Sequence, residues 1–251
     1  MGMRAFFFVM VVICSRESVA ATSFTLVAED DYFPYSALID DKLVGMVPEL
    51  AVAAYREVGV EVEFTVRPYP RVLLMVANGT HVGGFTGAID ASNADNYHWH
   101  PTPLGSVRLA IWARKGQTGK QPLIAADLEG RRVSITHGFF YTDAIDQNEE
   151  IEKVIAPSDM NSLRMLALGR SDFALVTERI GYGFLKSDAA SGLGDRIEVV
   201  GLIDEVPLHA FFSKTHPQGK AAAELFEQGL QAIIDNGIYK QIHNRWSPQA
   251  N

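Results

Sequence analysis

The chain has 251 residues, 47% of them hydrophobic and 21% charged, which is long and apolar enough for one large domain or two small ones and excludes disorder and fibrous repeats. A formal charge of −8, from 22 basic and 30 acidic side chains, offers no electrostatic footprint for nucleic acid or anionic lipid, so neither is expected as a partner. The single cysteine, Cys14, lies in the first twenty residues, which excludes a disulfide framework and a cysteine-based metal site.

Met1–Arg4 is positively charged, Ala5–Cys14 is a continuous apolar run, and Ser15–Ala21 is polar and ends in small residues. That is the three-part plan of a secretory signal peptide over residues 1–20, with cleavage expected after Ala20. The apolar run reaches only about half of a bilayer core as a helix, too short for a stable anchor. Cleavage removes Arg4, Arg16 and Glu17 and takes the formal charge from −8 to −9. No later run reaches the roughly eighteen apolar residues of a membrane span, so the mature protein is expected to be soluble outside the cytoplasm.

In the mature chain strand-like and helix-like stretches alternate, the pattern of an α/β fold with mainly parallel sheets. Ser23–Ala28 reads as a strand. Val47–Val58 reads as a short amphipathic helix, with Pro48 in its first turn, Leu50, Ala54 and Val58 on one face and Gly59 as its stop. Val60, Val62, Phe64 and Val66 alternate with polar residues, the period of a strand with one wet face. Arg71–Asn78 is a helix closed by Gly79. Val82–Phe85 and Val107–Ala113 are strands on either side of a long polar loop carrying Asp90, Asn93, Asp95, His98 and His100, and loops of that length are usually functional.

After a linker at Lys115–Gln121, Arg132–Thr136 opens a second unit. Ser158 caps a helix over Asp159–Leu168 that Gly169 ends, and Phe173–Val176 is a buried strand. Thr177–Leu185 reads as a helix weakened by Gly181 and Gly183. Ile197–Val200 and His209–Phe212 are two strands, Lys220–Asn236 is the clearest helix, and Gly237 breaks it before a last helix to Trp246.

The search for chemistry excludes more than it finds. The seven histidines have no HExxH or HxxEH spacing and read as solvent-facing loop residues, so no metal is expected. Neither GxGxxG nor GxxxxGK[ST] occurs, and there is no GxSxG elbow, so no nucleotide cofactor or serine nucleophile is indicated. What stands out is a group of three acids, Glu29, Asp30 and Asp31, beside Tyr32, Phe33 and Tyr35 after the first strand. Such a group suits a polar ligand with a flat or cationic part.

Glu29–Tyr35 (EDDYFPY) followed by Gly45–Leu50 (GMVPEL) resembles the opening of family 3 extracellular solute-binding proteins. Arg71–Gly79 followed by Gly83–Thr86 is similar to the family's next helix and ligand loop. Leu128–Val133 leading to Gly138 resembles the start of its second lobe, Leu168–Ala174 its late helix-to-strand step, and Asn236–Trp246 its C-terminal signature. The resemblance implies a two-lobed periplasmic-binding-protein type II fold, the Venus flytrap, with two hinge crossings. Lobe one would be residues 21–113 plus 211–251, and lobe two residues 114–210. It implies a monomeric, non-enzymatic periplasmic protein without cofactor, which captures a small-molecule solute and delivers it to the membrane permease of an ABC importer.

The carried-over ligand site is Glu29, Tyr32, Tyr35, Tyr69, Arg71, Phe85 and Thr86 from lobe one, with Gly138, Phe139, Phe140, Thr177, Glu178 and Arg179 from lobe two. Amino-acid binders of the family clamp the ligand carboxylate with an arginine after the strand holding Phe85, yet no arginine or lysine lies between Arg71 and Arg108. Phe139 stands where those proteins place a threonine, and Thr177 where they place an aspartate. A charge-assisted hydrogen bond is worth about 1.5–3 kcal/mol, so the sequence argues against a standard α-amino acid as the solute. Tyr32 and Arg71 are the expected lobe-one contacts. Two other readings come with the family: a sensor subunit acting in trans on a receptor or kinase, and a dehydratase-like enzyme using Glu178 or Glu29 as acid or base.

Overall fold

The computed structural model describes residues 22–90, 93–119, 121–186 and 192–246. The signal peptide expected over residues 1–20 lies outside them. In chain order the elements are β1 (Ser23–Glu29), β2 (Asp31–Tyr32), β3 (Ser36–Ile39), β4 (Lys42–Val44), α1 (Met46–Glu57), β5 (Glu61–Arg67), α2 (Tyr69–Ala77), β6 (Gly83–Gly87), β7 (Tyr97–Trp99) and β8 (Gly105–Arg114). A 3-10 turn at Ala125–Leu128 leads to β9 (Arg132–Thr136), α3 (Asp143–Asp146), β10 (Glu152–Ala156), α4 (Asp159–Ala167), β11 (Phe173–Thr177), α5 (Glu178–Leu185), β12 (Ile197–Ser213), α6 (Gly219–Asp235) and α7 (Ile238–Trp246).

The strands form one path, β10-β9-β11-β8-β12-β6-β1-β5, with β7 paired to β12 and a separate three-stranded sheet β2-β3-β4. At one end β1 runs parallel to β5 from Ser23↔Glu61 to Glu29↔Arg67. At the other, β9 lies parallel to β10 and β11. β8 and β12 join the two ends: β8 pairs antiparallel with β11 through Leu109–Ala113, while β12 pairs with β8 and then, at Phe211 and Phe212, with β6. The fold is therefore two-lobed α/β, with two strands passing between the halves.

One buried cluster continues from the first half into the second, and each half packs its own helices onto the sheet. In the first, α1 presents Leu50, Ala51, Ala54 and Tyr55 inward, and Tyr55 donates from its hydroxyl to Ala222 O of α6 at 2.9 Å. Gly229 of α6 allows this approach, because a Cβ there would lie 1.9 Å from Ala54 O. Phe226 packs against Tyr55, Phe85 and Phe212. Gly45 precedes α1 at φ +141°, and a side chain would collide with Tyr35 O at 2.4 Å; only glycine combines that dihedral with that contact. In the second half Trp112 is fully enclosed by α4, α5 and β11, donating from Nε1 to Val176 O at 3.0 Å. As expected, Ser158 caps α4, its hydroxyl accepting from Asn161 N.

Three differences from the sequence reading have physical causes. β12 is one strand rather than two, because the stretch between them pairs with β8 through register shifts at Val199/Gly201 and Leu202/Glu205, which break the period-two alternation of a strand. The long polar loop contains β7, whose Trp99 and Tyr97 stack on Phe211. The histidines do not all face solvent: His81, His100 and His209 are buried. Polar neighbours make that tolerable, since His81 Nε2 meets Thr65 Oγ1, His100 Nδ1 meets Thr102 O, His209 Nδ1 meets His100 O, and His100 Nε2 lies 2.5 Å from Glu227 Oε2.

Candidate functional site

The C-terminal ends of β1, β6, β9 and β11 converge where the two halves of the sheet face one another. That is where α/β folds open their ligand crevices. β1 ends at Glu29, 5% exposed, and Thr86 Oγ1 donates to its Oε2 at 3.1 Å. Thr86 is held at φ +64°, a left-handed conformation that costs a β-branched residue about 1–3 kcal/mol and is concentrated at functional positions. Burial holds the Glu29 carboxyl well above its usual range, against the Thr86 bond that favours ionisation, and Asp159, Asp30 and Asp31 push it further in the same direction.

Tyr32 sits in the first β-hairpin, with its hydroxyl 3.3 Å from Thr177 Oγ1 at the end of β11. Phe139, from the turn after β9, inserts between Tyr32 and Tyr69. Its ring is edge-on to both, with centroids 5.6 and 5.0 Å away. The left-handed turn that aims Phe139 uses Gly138 at φ +79°. These rings leave a residual void of about 20 Å³ bordered also by Glu29, Thr86, Phe140 and Thr177.

Two larger cavities open on either side of Phe139 and Tyr69, which line both. One, of about 430 Å³, is bordered by Glu29, Asp30, Asp31, Thr136 and Asp159. The other, of about 540 Å³, is bordered by Asp90, Asn93, Asn96, Gly138, Asp143 and Asp146. Asp159, the first residue of α4, is 4% exposed. Burial, with Asp31 adding repulsion, pushes its carboxyl up to about 7 even though the Thr136 hydroxyl donates to Oδ1. Among the described residues no lysine, arginine or histidine lines any of these three spaces. Nor, among the described residues, is any group of three or more histidine, cysteine or acidic side chains arranged to hold a metal ion.

The structure brings Glu29, Tyr32, Tyr69, Thr86, Gly138, Phe139, Phe140 and Thr177 together around these spaces. It sends the other expected residues elsewhere. Tyr35 touches Tyr32, but its hydroxyl donates to Ser106 O, and with Glu178 and Arg179 it lines a separate groove of about 680 Å³. There the Arg179 guanidinium lies 5.8 Å from the Tyr35 ring centroid and donates to Trp246 O, while Glu178 is 3.7 Å from Arg108. Phe85 points into the core against Phe64 and Phe226. Arg71 is exposed in the first turn of α2 and lines none of these four spaces. Asp159 and Thr136 escaped the sequence reading: an acid after a serine cap looks like an ordinary helix start, and a threonine ending a strand carries no signal of its own.

The model of bacterial extracellular solute-binding proteins, family 3, matches residues 24–249. The chain belongs to this family. The arginine-binding protein 1 of an ABC transporter from Escherichia coli (strain K12) is 23% identical to this solute-binding protein over 225 residues, 87% of this chain and 88% of that one. A histidine kinase sensor domain with similarity to periplasmic binding proteins superposes with a TM-score of 0.78 at 21% identity, covering 89% of this chain and 95% of the other. An ancestral arginine-binding protein bound to arginine superposes at 0.75 and 18% identity, covering 90% and 98%. No helix among the described residues is long and apolar enough to cross a membrane.

Proposed function

We propose that the protein captures a small organic solute other than a standard α-amino acid between its two lobes and delivers it, in the periplasm, to the permease of an ABC importer. Delivery to an importer is supported by the family and by the transporter-linked relative. The working division is residues 21–113 plus 211–251 against 114–210, with β8 and β12 shared as the two crossings. The observation that carries the choice of solute is the lining of the cleft: Tyr32, Tyr69, Phe139 and Phe140 with Glu29 and Thr177, and among the described residues no cation to receive a carboxylate. A zwitterion entering it would leave its carboxylate without a charge-assisted partner beside buried acids, a loss of roughly 1.5–3 kcal/mol for each missing bond.

A solute bridging two lobes joined by two strands draws them together. Small-angle scattering is expected to show a smaller radius of gyration with the cognate solute, identified by mass spectrometry of whatever copurifies. Calorimetry with the twenty common amino acids is expected to show weak binding or none. Submicromolar binding of any one of them would overturn the choice of solute, and an unchanged radius at saturation would overturn capture by closure. The sensor reading is favoured by the likeness to a histidine kinase sensor domain. Solute uptake that survives deletion of this protein, with loss of a transcriptional response, would select it.

A further inference from the structure

Around the 430 Å³ cavity stand four carboxylates, Glu29, Asp30, Asp31 and Asp159, and among the described residues no lysine, arginine or histidine. Asp159 differs from an ordinary acid in a first helical turn. Such an acid gains from the helix dipole while remaining in water, whereas Asp159 is 4% exposed. Its Oδ1 takes the Thr136 hydroxyl, and its Oδ2 has no hydrogen-bond partner among the described residues. Burying a carboxylate oxygen without a donor is costly, and the dipole alone does not require it. The same cavity exposes Tyr69 and Phe139, two rings held edge to face, and ring faces attract cations.

We infer that this cavity receives an organic cation, a protonated amine or guanidinium on a solute without a carboxylate, with Asp159 and Glu29 as its anionic anchors and Tyr69 and Phe139 as its apolar walls. The inference rests on the solute-binding reading and narrows its solute class. Four acids sharing one small space repel a solute carboxylate and attract a positive group. The raised carboxyls of Glu29 and Asp159 fit the same picture, because a cation between them supplies the counter-charge that the protein lacks there. Specificity would come from the mismatch: an uncharged analogue can offer a hydroxyl but no counter-charge to the buried acids.

The test is calorimetry on the full mature chain with 1,4-diaminobutane, agmatine, tyramine and choline, using 1,4-butanediol and glutarate as uncharged and anionic controls. At least one of the four cations is expected to bind while the controls do not, and Asp159→Asn should weaken that binding at least about tenfold. Asparagine keeps the oxygen that accepts from Thr136, so the variant is expected to fold, with melting temperature as the check. Should it not fold, Glu29→Gln carries the same expectation. Absence of binding by all four cations, or unchanged affinity in the folded variant, would overturn the inference. If 1,4-butanediol or glutarate compacts the protein and the cations do not, the cation assignment falls while solute capture stands.

Discussion

The hydroxyls of Tyr32 and Thr177 lie 3.3 Å apart, a buried contact between residues 145 positions apart in the chain. Tyr32 belongs to the hairpin after β1 and Thr177 ends β11, so the bond ties one half of the sheet to the other across the cleft. A neutral hydrogen bond contributes about 0.5–1.5 kcal/mol net, small against the whole fold but comparable with the few kcal/mol that separate two lobe arrangements. Tyr32→Phe and Thr177→Val are each expected to enlarge the radius of gyration of the unliganded protein, and the double variant to go no further than either single one. Identical scattering from all four proteins would dismiss the contact as a latch.

Gly181 sits inside α5, where alanine would ordinarily raise stability by about 1 kcal/mol. Here the sign reverses. A Cβ at this position would stand 2.2 Å from Cζ2 of Trp112, which has no exposed surface and no room to retreat. Gly181→Ala is expected to destabilise by about 1–3 kcal/mol through overpacking, read from chemical denaturation. The exposed helical neighbour Gly183, where an added methyl group would meet nothing within 4 Å, provides the control, and Gly183→Ala should be neutral or stabilising.

Asp159 links stability to pH. Its carboxyl is raised by burial from an ordinary 3.8 to about 7, so the folded state holds a proton that the unfolded state releases. The resulting stability is fully present below about pH 3.8 and is lost as pH rises to about 7, on the order of 4 kcal/mol in all. Asp159→Asn removes that slope. Compared with wild type, the variant should gain in melting temperature at pH 8 and show little difference at pH 4; a pH-independent difference would refute the linkage. Glu29, shifted in the same direction, keeps part of the slope in the variant.

The α/β elements were legible because their signals are local: Pro48 and Gly59 bracket α1, Ser158 and Gly169 bracket α4, and the alternation at Val60–Val66 marks β5, whereas the two-lobed frame came only with the resemblance. The candidate site was legible only in part, since it depends on which sheet ends meet. Tyr32, Tyr69 and Phe139 announce themselves as aromatics near glycines and prolines. Glu178 and Arg179 directly follow Thr177, yet the start of α5 turns them into another groove. Arg71, expected as a contact, stands exposed in the first turn of α2, where its unfavourable placement against the helix dipole is weak in water. Asp159 was hidden for the opposite reason: an acid directly after the Ser158 cap is an ordinary helix start, and only its burial reveals that one oxygen has no partner among the described residues.

Phe139, like Tyr69, lines both of the two larger cavities of the cleft. Its half-buried ring touches Tyr32 and Tyr69 and borders the 430 Å³, 540 Å³ and 20 Å³ spaces alike. Truncation to alanine removes the wall between the two larger cavities and both ring contacts, each worth about 0.5–1.5 kcal/mol beyond the area buried. Because those contacts reach from the turn after β9 to the other half of the sheet, their loss weakens closure more than it weakens either core. Phe139→Ala is therefore expected to open the unliganded protein in scattering while lowering its melting temperature only modestly. Affinity for the copurifying solute should fall at least about tenfold, and bulkier homologues of that solute should lose less, since the merged cavity accommodates them. Phe139→Leu keeps an apolar wedge without the ring faces, so it should restore closure only in part and leave the loss of affinity largely in place. If Phe139→Ala left affinity and radius of gyration at wild-type values, the ring would be packing rather than a gate.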